Sequence, residues 1–169
     1  VASAGTVPGR VVVFDLEAGA ASVRRRSDGE NVREGALSKP EPVTWKSFDG
    51  EDVHGLYFPP ASERFEGSGK PPLVVLVHGG PTGQTQASWS AQAQCFATRG
   101  YAVLHVNYRG STGYGREYML KLRESWGIYD VQDCKFGARH LVNEGAVDGT
   151  KLVIMGGSAG GFTVLQSLV

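Results

Sequence analysis

Three short apolar runs constrain this chain more than any other feature: "LVVLV" at Leu73–Val77, "YAVLHVNY" at residues 101–108 and "KLVIM" at residues 151–155. The first is bounded by proline and glycine and is too short for a helix. It reads as a strand buried on both faces, because no polar residue alternates with the apolar ones to mark a solvated side, and the second reads as another buried strand. "KLVIM" reads as a further strand. Helix-like segments separate and follow them: residues 87–100, 115–127, 131–145 and 159–169. In residues 131–145, Val131, Cys134, Ala138, Leu141 and Val142 fall on one helical face and Gly145 supplies the stop. Strand and helix in alternation imply right-handed crossovers and a mainly parallel sheet with helices on both faces, the α/β class.

The residues ahead of this pattern add antiparallel strands. "EPVTWKSFDGEDVHGLYFPP", residues 41–60, holds two strand-like runs around Asp49-Gly50, a dipeptide that tolerates the positive backbone angles of a tight hairpin. The sheet is therefore expected to be mixed. Residues 61–72 form a polar loop. Residues 1–40 read as one hairpin, "RVVVFDL" and "ASVRRR" about the turn "EAGA", followed by a polar loop. A lone hairpin is marginal in water, so it is expected to belong to a larger sheet. Two units follow: 1–40 and 41–169.

Composition narrows the class of partner. The 169 residues are 41% hydrophobic and 20% charged, as in globular proteins, and Lys plus Arg equals Asp plus Glu at 17 each. Zero net charge offers no electrostatic capture of nucleic acid or of an anionic membrane. Neither a signal peptide nor an apolar run of membrane-spanning length is visible. The absence of Met at the start marks residue 1 as an unnatural beginning. Cys95 and Cys134 are too few and too far apart for a disulfide framework or a metal clip. Both read as core thiols, consistent with a reducing, cytoplasmic setting. No cofactor and no metal is expected.

The chemistry is concentrated in "GGSAG", residues 156–160, which matches G-x-S-x-G directly after a strand and directly before a helix. A turn that tight forces the serine into a sparsely populated backbone conformation costing roughly 1 to 3 kcal/mol. Gly156 and Gly160 lack Cβ atoms, so strand and helix approach closely while the Ser158 hydroxyl projects from the carboxyl end of the sheet. Ser158 is the expected nucleophile, and the Ala159 N–H at the helix start is placed to meet a developing oxyanion. The alternative, a nucleotide-binding loop, fails on spacing: no Gly-Lys-Ser/Thr is present and the glycines do not fit G-x-G-x-x-G. "HGGP", residues 78–81, follows an earlier buried strand, where a second oxyanion donor is required, and Gly80 is the expected one. Such a donor is worth about 3 to 4 kcal/mol in the transition state. His78 and Gly79 belong to this loop, with His78 bracing it by hydrogen bonds rather than acting as base.

"LVVLVHGGP", "VLHVNYRGSTGYG", "ESWGIYDVQDC" and "GGSAGG" occur in an order and spacing that resemble the prolyl oligopeptidase family of serine peptidases, most closely its acylaminoacyl-peptidase branch. The likeness covers residues 42–169. It implies an α/β-hydrolase fold, a β-propeller ahead of it that admits only short peptides, and residues 1–40 as the end of a last blade. It also implies that residues 107–111 form a loop beside the active site, where Tyr108 and Arg109 serve either loop architecture or the substrate. Residues 130–133, "DVQD", would begin a helix behind the nucleophile, with Asp130 and Asp133 as helix-start caps.

A serine nucleophile needs a histidine and an acid, in this fold in the order Ser, Asp or Glu, His. Eleven residues follow Ser158, and none is His, Asp or Glu. His54, His78, His105 and His140 all precede it, and His105 reads as a satisfied sheet residue. The expectation is a fragment, inactive alone, of an enzyme whose triad Asp and His lie elsewhere in the same polypeptide. Its substrates would be short peptides, and a homo-oligomeric assembly is compatible with this reading. A carboxylesterase and a non-catalytic binding domain of the same fold remain alternatives.

Overall fold

The computed structural model describes residues 1–29 and 33–169; of the loop expected over residues 27–40, residues 30–32 lie outside the described residues. Strands β4 (Glu41–Lys46), β5 (Asp52–Phe58), β6 (Leu73–Val77), β7 (Ala102–Asn107) and β8 (Leu152–Gly156) form one sheet in the order β4-β5-β7-β6-β8. The pairs β4–β5 and β5–β7 are antiparallel, while β6 runs parallel to both β7 and β8. The mixed sheet expected from the sequence is present. Its hairpin turns at Asp49-Gly50, where Gly50 has φ 82° and donates to the Ser47 carbonyl at 3.1 Å.

Every residue of β6 and β7 is buried, the result of carrying apolar side chains to both faces. Leu73, Val75 and Val77 join Leu104 and Val106 on one face, against Cys134, Ala138 and Leu141 of helix α3 (Tyr129–Asn143). Val74 and Leu76 join Val103 on the other, against Ala93 and Ala97 of helix α1 (Ala91–Ala97). Helix α4 (Ala159–Gln166) lies beside α3, and the short α2 is Arg116–Leu120. Three layers result. The parallel neighbours β6 and β8 end at the same edge, where β6 delivers residue 78 and β8 delivers residue 157.

Residues 1–26 hold three antiparallel strands, β1 (Ala2–Ala4), β2 (Val7–Asp15) and β3 (Ala20–Arg26), rather than one hairpin. The β2–β3 turn is tied by Asp15 Oδ1, which accepts from Glu17 N and Ala18 N at 2.9 Å each. This small sheet meets α1 through Gln94, whose amide donates to Gly5 O at 3.0 Å and to Ser38 O at 2.7 Å and accepts from Ser38 N at 2.9 Å.

Four local expectations are corrected. The helix expected over residues 115–127 stops at Leu120 and continues as turns, with Glu124 at φ 59° and Gly127 at φ 77°. Leu122 is buried there but Trp126 is exposed, so no continuous apolar stripe sustains a helix. The buried face of α3 includes Asp130, Asp133 and Gly137 beside Cys134, Ala138 and Leu141, leaving Val131 and Val142 only half-buried. Cys95 is exposed, because Ala93, Gln94 and Ala97 occupy the inner face of α1. His105 is buried, yet its Nε2 has no hydrogen-bond partner among the described residues. Burial, with the nearby His78 adding to it, lowers the pKa of His105 to about 4, so the ring is neutral near pH 7.

Candidate active site

Ser158 stands between β8 and α4 with φ 55° and ψ −122°, the left-handed side of backbone space that a residue with a Cβ rarely enters. Its side chain makes no capping bond to the helix, and the residue is exposed. The close approach of strand and helix is what makes the crook. A Cβ on Gly156 would come within 2.6 Å of the Gly160 carbonyl group, and one on Gly160 would overlap the Val77 carbonyl oxygen. Only hydrogen fits at either position.

The loop after β6 lies against this crook. A Cβ on Gly79 would sit 3.2 Å from Ser158 Cβ and 2.9 Å from the Gly157 carbonyl oxygen, so the Gly79 backbone flanks the serine. Gly80 takes φ 61°, and its carbonyl accepts from Gly83 N at 2.6 Å, folding the loop back on itself. Asn107, at the end of β7 and buried, holds the far side: Oδ1 accepts from Thr85 N at 2.7 Å and Nδ2 donates to Thr85 O at 2.9 Å. The sequence places Asn107 only at the start of the loop over residues 107–111, and its hold on Thr85 carries no local signal beyond a polar residue ending a buried apolar strand.

His78 braces this loop, the role expected of it. Ser111 Oγ donates to the Tyr108 carbonyl at 2.7 Å and therefore accepts from His78 Nε2–H at 2.8 Å, which sets the tautomer. Nδ1 lies 3.1 Å from the Gly79 carbonyl oxygen. The ring stacks on Tyr108 with centroids 4.5 Å apart and planes 14° apart. Burial pushes its pKa down against the opposing carbonyls of Gly79 and Gly80, so the brace is a neutral imidazole.

Tyr108 and Arg109, left open by the sequence between loop architecture and the substrate, are buried. Each is 1% exposed, and each is bound into the loop by its own contacts. The Arg109 guanidinium donates to both Asp133 oxygens, to Ser47 Oγ at 3.1 Å and to Asp49 Oδ2, while Asp133 also accepts from Arg109 N and Ser47 Oγ. Its plane lies 4.1 Å from the Tyr129 ring centroid. Burial alone would lower the Arg109 pKa, but the hydrogen bonds and charges of Asp133 and Asp49 carry it upward.

Asp133 is thus the counter-ion of a buried arginine and not a helix cap. Asp130 caps nothing within α3 either: Oδ1 accepts from Gly127 N at 2.7 Å, ahead of the helix, and Oδ2 accepts from Thr163 Oγ1 of α4 at 2.6 Å. Both carboxylates point inward because their partners are buried there. Thr163 escaped the sequence reading, since a threonine inside an apolar helix carries no local mark of its partner.

A cavity of about 350 Å³ beside the crook is lined by His78, Thr85, Gln92, His105 and the Gly156–Gly157 backbone. The larger cavity, about 1050 Å³, lies between residues 60–72 and the end of α1, away from Ser158. No group of three or more His, Cys, Asp or Glu among the described residues is arranged to hold a metal ion. No helix among them is long and apolar enough to cross a membrane.

Residues 87–169 match the prolyl oligopeptidase family. The chain is similar to the uncharacterized peptidase YuxL of Bacillus subtilis, 35% identical over 132 residues, covering 78% of this chain and 20% of that protein. It is also similar to the human acylamino-acid-releasing enzyme, 41% identical over 91 residues, which is 54% of this chain and 12% of the enzyme. Among solved structures, a Mycobacterium tuberculosis puromycin-hydrolyzing peptidase superposes with a TM-score of 0.95 at 39% identity, over 98% of this chain and 26% of that one. The Pyrococcus horikoshii acylaminoacyl peptidase superposes with a TM-score of 0.82 at 28% identity, again over 98% of this chain and 26% of that one. The chain thus spans about a fifth or less of the length of these two curated relatives. The architecture is that of the α/β-hydrolase domain of these peptidases, and the family match runs unbroken from the loop before α1 through the serine crook. Residues 87–169, which carry the serine crook, belong to the prolyl oligopeptidase family.

Proposed function

We propose that the chain carries the nucleophile and oxyanion half of a serine peptidase that removes blocked or free N-terminal residues from short peptides by acyl transfer. The observation that carries this reading is Ser158: exposed, held at φ 55°, and free of any helix-capping bond. Strain of that kind, roughly 1 to 3 kcal/mol, persists where it presents a reacting group. Its Oγ attacks the scissile carbonyl carbon, and the carbonyl oxygen gathers negative charge as the tetrahedral intermediate forms. The N–H groups of Gly80 and Ala159 receive that charge; among the described residues neither donates to a protein acceptor. Collapse of the intermediate expels the amine and leaves an acyl-serine, which water then hydrolyses.

The proton from Oγ passes to a histidine outside these 169 residues, with an acid behind it. The Nε2–H of His78 is held by Ser111 Oγ and His105 is buried within the sheet, so neither is the base. In this reading residues 1–40 are the end of a propeller and residues 41–169 the first part of the catalytic domain. Short peptides are the substrates, homo-oligomers are possible, and two cysteines without a disulfide suit a cytoplasmic setting. The kinship with acylamino-acid-releasing and puromycin-hydrolyzing peptidases supports amides of N-terminal residues as the scissile class.

Fluorophosphonate labelling of the full-length protein, together with turnover of acetyl-alanyl p-nitroanilide and puromycin, tests the reading. Ser158→Ala is expected to abolish both labelling and turnover. Labelling that survives this substitution rejects it.

A further inference from the structure

We propose that Asp130 and Thr163 form a positioning pair that holds the first turn of α4, and with it the Ser158 hydroxyl and the Ala159 N–H, at the angle acylation requires; this rests on the acyl-transfer reading above. The buried residues of α4 are Gly160 and Thr163, so Thr163 contributes the helix's one buried side chain. Among the described residues, Thr163 and the glycine contacts with β6 hold α4 against the sheet and α3.

The Thr163 hydroxyl has a single proton and two acceptors in reach, Asp130 Oδ2 at 2.6 Å and Ala159 O at 3.2 Å. The shorter contact, to an acidic side chain, takes the proton. Thr163 stands one helical turn from Ala159, so the bond to Asp130 acts on the same turn of α4 that supplies the proposed oxyanion donor. Asp130 is anchored independently by Gly127 N at 2.7 Å, on the segment that enters α3. The result is a fixed line from α3 to the residue after the nucleophile.

Packing does not require this line. Valine matches threonine in shape and would fill the same space, and a threonine inside a helix gains nothing over it in propensity. Asp130, 2% exposed, has no Lys, Arg or His in ion-pairing distance among the described residues, so burying it carries a desolvation penalty that no salt bridge offsets. A direction-specific bond is what the polar pair supplies and an apolar pair lacks. Misplacement of a reacting group by about 1 Å can lower a rate by about 100-fold, so even a small rotation of α4 is felt at Ser158.

The test measures inactivation of the full-length protein by a fluorophosphonate, separating the maximal rate kinact from the half-saturation constant KI, with thermal unfolding of each variant alongside. Thr163→Val is expected to lower kinact about tenfold with KI within about twofold, and Thr163→Ser to restore kinact to within about twofold of the parent. Asp130→Ala should match Thr163→Val, and the double variant should be no slower than either single one. Asp130→Asn keeps an acceptor for Gly127 N and a partner for the Thr163 hydroxyl, and should fall by no more than about threefold. Parental kinact in Thr163→Val, failure of Thr163→Ser to rescue, multiplied losses in the double variant, or a full loss in a natively melting Asp130→Asn would each overturn the pair. Ser158→Ala, run in parallel, separates the two claims: labelling lost there while Thr163→Val reacts normally rejects the pair alone, and labelling retained rejects the nucleophile itself.

Discussion

At Ser158 the identity of one residue and the conformation of its backbone are inseparable. The glycines on either side permit φ 55° because Gly156 meets Gly160 where no Cβ can stand, and the motif that predicts this geometry is local enough to read along the chain. His105 is the opposite case. Its alternation within β7 marks it as internal, but nothing nearby in sequence shows that its Nε2 would be left without a partner, since the surroundings come from β5, β6 and α1. Because burial lowers its folded-state pKa to about 4 while an unfolded histidine titrates near 6.5, protonation favours the unfolded chain. Stability contributed by the neutral ring is therefore present above pH 6.5 and is lost as pH falls toward 4, by about 3 kcal/mol at most. His78 shifts in the same direction. Thermal unfolding of the full-length protein at pH 7 and pH 5 measures this: His105→Leu should show a smaller drop in Tm on acidification than the parent. An equal drop would remove His105 from the account.

Among the elements, α3 shows how a correct helix can carry a misread face. Its span and its stop at Gly145 follow from spacing alone, yet two of its six buried positions are carboxylates. A periodicity argument counts apolar residues and so places Asp130 and Asp133 at a solvated helix start. Their partners, Thr163 and Arg109, are distant in sequence and become visible only after α3, α4 and β7 are packed together. The same packing buries Arg109, which a loop motif leaves open between substrate and scaffold. Its fork reaches Asp133, Asp49 and Ser47 at once and its plane covers Tyr129, geometry that an ammonium cannot reproduce. Arg109→Lys is accordingly expected to destabilise the full-length protein by about 2 to 3 kcal/mol, read from denaturant unfolding followed by Trp fluorescence. A change below about 0.5 kcal/mol would show that the network tolerates a point charge.

For the molecule as a whole, the joint between the N-terminal sheet and the larger sheet depends on Gln94, a residue no motif singles out. Its amide satisfies Gly5 O and both backbone groups of Ser38, all within buried surroundings. Gln94→Ala would strand three backbone groups, and amide hydrogen exchange at Ser38 should accelerate by roughly 10- to 100-fold; exchange at the parental rate would mean the joint is held by other contacts. Sequence by itself determined the mixed, mainly parallel order of strands and helices, the hairpin at Asp49-Gly50, the strained serine between β8 and α4, and the supporting His78. Each of those follows from residues within a turn or a strand of one another, where sterics and hydrophobic period act locally. The inward carboxylates of α3, the buried fork of Arg109, the hold of Thr163 on α4 and the Gln94 joint were decided only in three dimensions. Hydrogen bonds and ion pairs between elements more than twenty residues apart leave no periodic trace along a chain, because their geometry is set by how layers stack and not by what stands next in line.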